Sequence, residues 1–251
     1  MTSPPVDGQE IPLAGGWRLG IHAELPSTSD LLIRAAERGE PEDRAVLALR
    51  QLAGRGRVGR QWQSPPGNLY LSILLRPFTP AAEAPQWSLL AGVALWEAAA
   101  GLLPDPGPLR LKWPNDLLLD GAKCAGILAE SALGPDGRLA WLVLGFGVNL
   151  AVAPEVPGRR TAHLGALARP EAFAPLLLAR LRHWRDVQAE QGFAPVRAGW
   201  AAHGPEIGTL VALADGTAGV YAGLDENGGL LLRQEDGSGI RRVTAGEPLG
   251  A

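Results

Sequence analysis

Apolar residues fall along this chain in two rhythms. In PQWSLLAGVALWEAAAGLL and in FAPLLLARLRHWRDVQAEQG they recur every three or four positions, which predicts two long helices, and VRAGWAAH belongs to a following one. LLIRAAER predicts a shorter helix nearer the start, since Ser27, Thr28, Ser29 and Asp30 offer N-cap oxygens and Gly39 can end it. Elsewhere the apolar runs are short and bounded by turn residues. RAVLALRQ and the alternating NLYLSILLRP read as strands; after a Pro/Gly break at 104–108 come four more, LRLKW, DLLLD, KCAGILAESAL and RLAWLVLGFGVNL. Strands gathered in runs imply an α+β fold, a sheet with helices packed on it.

The interruptions divide the chain. Residues 1–16 are rich in Pro and Gly and are expected to form a loose arm. AGRGRVGRQWQSPPGN, with four glycines and two adjacent prolines, suits a long loop. From Gly208 the texture changes: DG and NGG turns punctuate short strands at intervals near those of a small barrel. A boundary near 204–208 therefore separates a main unit, 17–204, from a tail, 205–251, that is small for independence and should lean on the main sheet.

Composition removes several classes of function. The 251 residues, 46% hydrophobic and 20% charged, suffice for a substantial core. A net charge of -3 gives no global attraction to nucleic acid or anionic lipid. The lone Cys124 has no intramolecular partner, zinc lacks a ligand set, and His22, His163, His183 and His203 share no spacing, so no protein metal ligand is assigned. No signal peptide is visible, and no apolar stretch reaches the ~20 residues of a membrane helix. A cytoplasmic location is the default expectation.

The charged residues focus the search for chemistry. Of 23 basic residues only Lys112 and Lys123 are lysines, both within KWPNDLLLDGAK. A compositional drift toward arginine explains the scarcity, yet lysine is also a compact point charge that arginine's planar fork does not replace. KWPNDLLLDGAK lacks the GxxxxGK[ST] of a P-loop and reads as strand, Pro-Asn-Asp turn, strand, with Asp116 able to form a plain ion pair with Lys112. GRGRVGR brings arginines and glycines together, a pattern that fits phosphate or carboxylate binding, a solvated basic loop, or RNA binding. The glycines of GFGVNL, Gly145 and Gly147, mark either a bulge or a place where a flat ligand meets backbone. Trp62 ends a flexible basic loop, where burying an indole costs order unless a ligand supplies the surface.

Taken in order, QLAGRGRVGRQW, SPPGNLYLS, KWPNDLLLDGAKCAGILAE and GFGVNL resemble the biotin protein ligases, also called biotin-[acetyl-CoA-carboxylase] ligases, over roughly residues 17 to 250. The resemblance implies a catalytic domain with a mixed sheet and packed helices, class II synthetase-like and of the biotin/lipoate ligase type, plus a small C-terminal SH3-like β-barrel. It places the family's biotin-contacting Ser-Thr-Asn on Ser27, Thr28 and Ser29, a departure at the third position. It places the Gln ahead of the basic loop on Gln51, the loop contacts on Gly54, Arg55, Gly56 and Arg57, the apolar wall on Trp62 and the ligand-bridging lysine on Lys123. Lys112, Trp113, Asn115 and Asp116 match its KWPND motif, and Gly145, Gly147 and Asn149 its GFGVN segment. Val58 stands where a third arginine is frequent, and Gln61 where a Lys is.

The resemblance also implies a reaction. Biotin's carboxylate attacks the α-phosphate of ATP to give biotinyl-5'-adenylate and pyrophosphate, and a lysine of a biotin carboxyl carrier protein of acetyl-CoA carboxylase then takes the biotinyl group. Mg²⁺ with Arg55, Arg57 and Lys123 would offset the repulsion of the two anions, Asp116 would orient the incoming amine or accept its proton, and the basic loop would close over the anhydride. About twenty residues precede the matched region, so the ligase is expected without the DNA-binding winged helix that some members carry; a homodimer stays open. A lipoate or octanoyl ligase of the same fold is the nearest alternative, and a nucleic-acid-binding protein using GRGRVGR the more distant one.

Overall fold

In the computed structural model, which describes residues 8–213, 216–234 and 239–244, eight strands form one sheet in the order β1-β2-β3-β4-β8-β7-β6-β5. They are β1 (Glu10–Pro12), β2 (Arg18–His22), β3 (Arg44–Ala48), β4 (Leu69–Leu75), β5 (Leu109–Lys112), β6 (Asp116–Leu119), β7 (Ala122–Leu133) and β8 (Leu139–Val148). Only β2 and β3 pair in parallel, joined through helix α1 (Thr28–Glu37) as a parallel pair requires; the other neighbours are antiparallel. The sheet is mixed, as expected. Helices α2 (Ala84–Ala100), α3 (Pro170–Gln191) and α4 (Ala194–His203) match the three helical rhythms.

Alternate residues of the strands belong to two different interiors. Leu69, Leu71, Ile73 and Leu75 of β4 and Leu142, Leu144, Phe146 and Val148 of β8 join the large core with Leu89, Leu90, Val93 and Phe173 of α2 and α3. The intervening Leu74 and Val143 join a smaller cluster with Leu32 and Ala36 of α1. The helices α2 and α3 thus cover one face, while α1 covers only part of the other. NLYLSILLRP, expected to alternate, is buried at all seven strand positions, because β4 lies between β3 and β8 with helices on both sides.

Two expectations need correction. Part of the segment read as a loose arm is edge strand β1, held to β2 in the register Glu10↔Gly20 and Ile11↔Leu19, and Gly8 N–H donates to Ile21 O. β2 itself was not foreseen; WRLGIHAE is short and carries polar residues on both sides, and its pairing with β3 makes it a strand.

Beyond α4, strands β9 (Leu210–Ala212), β10 (Ala218–Leu224), β11 (Leu230–Arg233) and β12 (Ile240–Val243) form a four-stranded antiparallel sheet in the order β12-β11-β10-β9. It leans on the main unit: Tyr221, Leu224, Leu230 and Leu232 enter the large core, and Trp113 Nε1–H donates to Gly228 O at 3.1 Å. No described helix is long and apolar enough to cross a membrane.

Candidate active site

The open part of the second face is floored by glycine. β7 and β8 pair Gly126 with Gly147 and Leu128 with Gly145, so two strands present bare backbone side by side next to the end of α1. Side chains fill the space that a Cβ would need. A Cβ on Gly147 would lie 2.7 Å from Trp62 Cζ2, one on Gly126 3.2 Å from Trp62 Cζ3, and one on Gly145 2.7 Å from Ser29 Oγ. The bulge reading of GFGVNL fails, because β4–β8 pairing runs unbroken through Gly145 and Gly147. The group against this backbone is the protein's own indole.

A chain of hydroxyls lies at the α1 end. Ser27 caps α1, its Oγ accepting from Asp30 N–H at 3.3 Å. Thr28 N–H and Oγ1–H both reach Gln51 Oε1, at 2.9 and 3.1 Å, and Gln51 Nε2 donates to Ser64 Oγ at 3.4 Å. Thr28 and Ser29 share Ser72, whose Oγ is 2.7 Å from one hydroxyl and 3.0 Å from the other. Ser72 is fully buried on β4 and was not singled out from the sequence. The only signal was a hydroxyl inside an apolar strand. Ser29 in place of the family's Asn is thus accommodated by a partner hydroxyl and by the missing side chain at Gly145.

At the other end stands Lys123. A register shift between Leu117↔Ala125 and Leu118↔Lys123 leaves Cys124 as an extra residue of β7, a bulge that puts Lys123 on the same face as Gly126. Its ammonium lies 2.5 Å from Asp116 Oδ1 and 5.5 Å from the centroid of the Trp62 ring. The partner of Asp116 is therefore Lys123, not Lys112, which is exposed at the end of β5. Cys124 turns inward instead; burial pushes its thiol up to about 12 and leaves it no nucleophilic role. Trp113 packs in the core next to a cis Trp113–Pro114 bond, and Asn115 Nδ2 donates to Ile127 O across the turn, so both hold the KWPND turn.

The basic loop carries a small hairpin. Arg55 pairs with Gln61, Gly56 N–H donates to Arg60 O, and Trp62 N–H donates to Gly54 O. Val58 and Gly59 turn the tip with φ of 56° and 68°, as a two-residue type I' turn demands. Gly54 has no room for a side chain, since a Cβ there would lie 2.6 Å from Trp62 O. Arg57 reaches Asn115 Oδ1 at 3.3 Å and lines a small cleft of about 80 Å³ with Pro114, Asn115 and Ile127. Arg55 turns elsewhere, onto Glu130 and Asp30.

Two buried polar atoms at this site have no partner among the described residues, Trp62 Nε1 and Asn149 Oδ1. Asn149 Nδ2 is used, donating to Ala162 O at 3.0 Å. Nine other buried polar atoms among the described residues also lack a hydrogen-bond partner, so these two alone do not mark the place. Hydroxyls at one end, a flat wall between, and the Lys123 ammonium with Arg57 at the other suit a ligand that is polar, then apolar, then anionic.

Comparison with known proteins agrees with that reading. Residues 23–149 match the model of the biotin/lipoate A/B protein ligase family. The biotin–[acetyl-CoA-carboxylase] ligase of Paracoccus denitrificans is 40% identical over 200 residues, covering 75% of this chain and 83% of that protein. The enzyme of the same name from Mycobacterium tuberculosis is 35% identical over 251 residues, 91% of this chain and 90% of the relative. Among solved structures, the biotin protein ligase of Aquifex aeolicus in complex with biotin and ATP superposes with a TM-score of 0.75 at 30% identity, covering 91% of this chain and 96% of that one. The chain belongs to the biotin/lipoate A/B protein ligase family. Within that family, these three relatives are biotin ligases by name.

Proposed function

We propose that this protein joins biotin to ATP, forming biotinyl-5'-adenylate and pyrophosphate, and passes the biotinyl group to a lysine amine of a carrier protein, releasing AMP. The observation that carries the reading is Lys123, an ammonium aimed by a bulge over a glycine floor, beside Trp62 and within reach of Asp116. The polar ureido ring of biotin suits Ser27, Thr28 and Gln51, with Ser29 and Ser72 behind them; its apolar body suits Trp62 above Gly126, Gly145 and Gly147. Its carboxylate then lies toward Lys123.

Two anions must meet in the first step, and their repulsion is largest in the transition state, where a preorganised cation is worth most. Lys123 supplies that charge between the biotin carboxylate and the α-phosphate, and Arg57 supplies a second fork from the hairpin. Asp116 holds the ammonium at 2.5 Å and so fixes where it points. In the second step the same carboxylate is the acceptor for the proton of the attacking amine. Mg²⁺ is read as entering with ATP, as part of the substrate, and no residue is assigned to hold it. The relatives' names, which give acetyl-CoA carboxylase as the protein acted on, support a biotin carboxyl carrier domain of that enzyme as the acceptor, and we place the exchange in the cytoplasm. In this reading residues 17–204 are the catalytic unit and 205–251 the SH3-like appendage.

Biotin-dependent exchange of labelled pyrophosphate into ATP tests the reading directly. Exchange is expected with biotin and absent with lipoate or octanoate; exchange driven by the acyl chains instead would assign the protein to the lipoate branch of its family.

A further inference from the structure

We propose that Arg55 is the latch of the 54–62 hairpin, a positioning residue that ties the hairpin to α1 and β7 and makes no contact with the phosphate or carboxylate of the substrates. Its two terminal nitrogens meet Glu130 as a parallel fork, Nη1 to Oε1 at 2.7 Å and Nη2 to Oε2 at 2.9 Å. Nη2 also lies 2.6 Å from Asp30 Oδ1. One guanidinium thus faces two carboxylates, which leaves the cluster with a net negative charge and no capacity for a further anion. Arg57, two residues on, differs: among the described residues it bonds only the neutral Asn115 Oδ1.

The anchor points explain what the latch does. Asp30 is in the first turn of α1, directly after Thr28 and Ser29 of the hydroxyl chain. Glu130 is on β7, the strand that carries Lys123 and Gly126. The backbone of Arg55 pairs with Gln61, and Gly54 pairs with Trp62, so a pull on the Arg55 side chain holds the hairpin that seats the indole on the glycine floor. One side chain therefore couples the three elements that wall the groove. Its side chain is 40% exposed and its partners 36% and 23%, so each ion pair is weak alone and the effect of breaking one is several-fold, not hundredfold.

Hydrogen exchange of residues 54–62 in the ligand-free full chain, together with the kinetics of biotin-dependent pyrophosphate exchange, decides the matter for wild type, Glu130→Gln, Arg55→Glu and the swap Arg55→Glu with Glu130→Arg. Glu130→Gln is expected to speed hydrogen exchange in the hairpin and to raise KM for biotin about fivefold with kcat within about twofold. Arg55→Glu should do more of the same, and the swap should bring both readouts back toward wild type, since a guanidinium at position 130 again faces two carboxylates. A swap as inactive as Arg55→Glu alone, with kcat lost, would show that the guanidinium at 55 touches the substrates and overturn the proposal. So would unchanged hairpin exchange in Glu130→Gln. The kinetic arm rests on the ligase reading; the hydrogen-exchange arm does not, so wild-type protein without pyrophosphate exchange would sink that reading while leaving the latch to be judged on its own.

Discussion

The two faces of the eight-stranded sheet are made by alternate residues of the same strands, yet they are built to opposite rules. On β8 the even positions Leu142, Leu144, Phe146 and Val148 are large and apolar and meet α2 and α3. The odd positions run from Val143 under α1 to Gly145 beneath Ser29 and Gly147 beneath Trp62. β4 repeats the contrast, with Leu71 and Ile73 on one side of the backbone and the fully buried Ser72 on the other. The filled face holds the fold together; on the other, glycine backbone carries the Trp62 indole, and hydroxyls stand where apolar side chains would pack. A protein can carry both on one sheet because the period of a strand is two, so a change at one residue reaches only one side.

Substitutions on neighbouring residues should therefore separate stability from activity. Phe146→Ala removes a buried ring from the filled face and is expected to cost about 3–5 kcal/mol in a urea titration, with KM for biotin unchanged in the protein that remains folded. A large KM change with intact stability would mean that the faces are not independent. Lys123→Ala should behave in the opposite way, leaving the urea midpoint near wild type and slowing pyrophosphate exchange at least about a hundredfold, or roughly 2.7 kcal/mol or more. Lys123→Arg sharpens this: near-normal rates would show that any cation suffices and that the compact ammonium is irrelevant.

Gly147→Ala places a methyl within 2.7 Å of the Trp62 indole and should unseat it, weakening biotin binding by about 1–3 kcal/mol while the filled face keeps its stability. Tryptophan fluorescence in the ligand-free protein would report the displaced indole; unchanged emission and unchanged KM would remove Trp62 from the site. The smallest effect is expected for Ser72→Ala, which leaves Thr28 and Ser29 without their shared hydroxyl. About 1 kcal/mol in biotin affinity, read by calorimetry, fits its place behind the contact layer. If the loss appeared in stability alone, the hydroxyl chain would belong to the fold and not to the ligand.

Much of this plan was legible along the chain. The helical rhythm located α2, α3 and α4, the run of short apolar segments located β5 to β8, and members of three motifs meet: Arg57 with Asn115, Lys123 with Asp116, and Trp62 with Gly147. What escaped depended on partners distant in sequence. β1 and β2 are too short and too polar to announce themselves and exist because β2 pairs with β3 and β1 then pairs with β2. Ser72 reads as a polar lapse in an apolar strand until Thr28 and Ser29, more than forty residues away, are set beside it. Arg55 and Arg57 are equivalent in GRGRVGR, and only the fold assigns one to two carboxylates and the other to the amide of Asn115.

By itself, then, the sequence determined the elements, the α+β class and the residue types that the chemistry needs, because periodicity, turn residues and side-chain reactivity are local properties. The tertiary structure alone decided which atoms meet. The bulge at Cys124 turned Lys123 toward the groove, the pairing of Gly126 with Gly147 made a floor wide enough for an indole, and Glu130 and Asp30 converted an arginine of a basic loop into a tether. Strand register and long-range charge pairing depend on how the whole chain closes, and no window of the sequence contains that information.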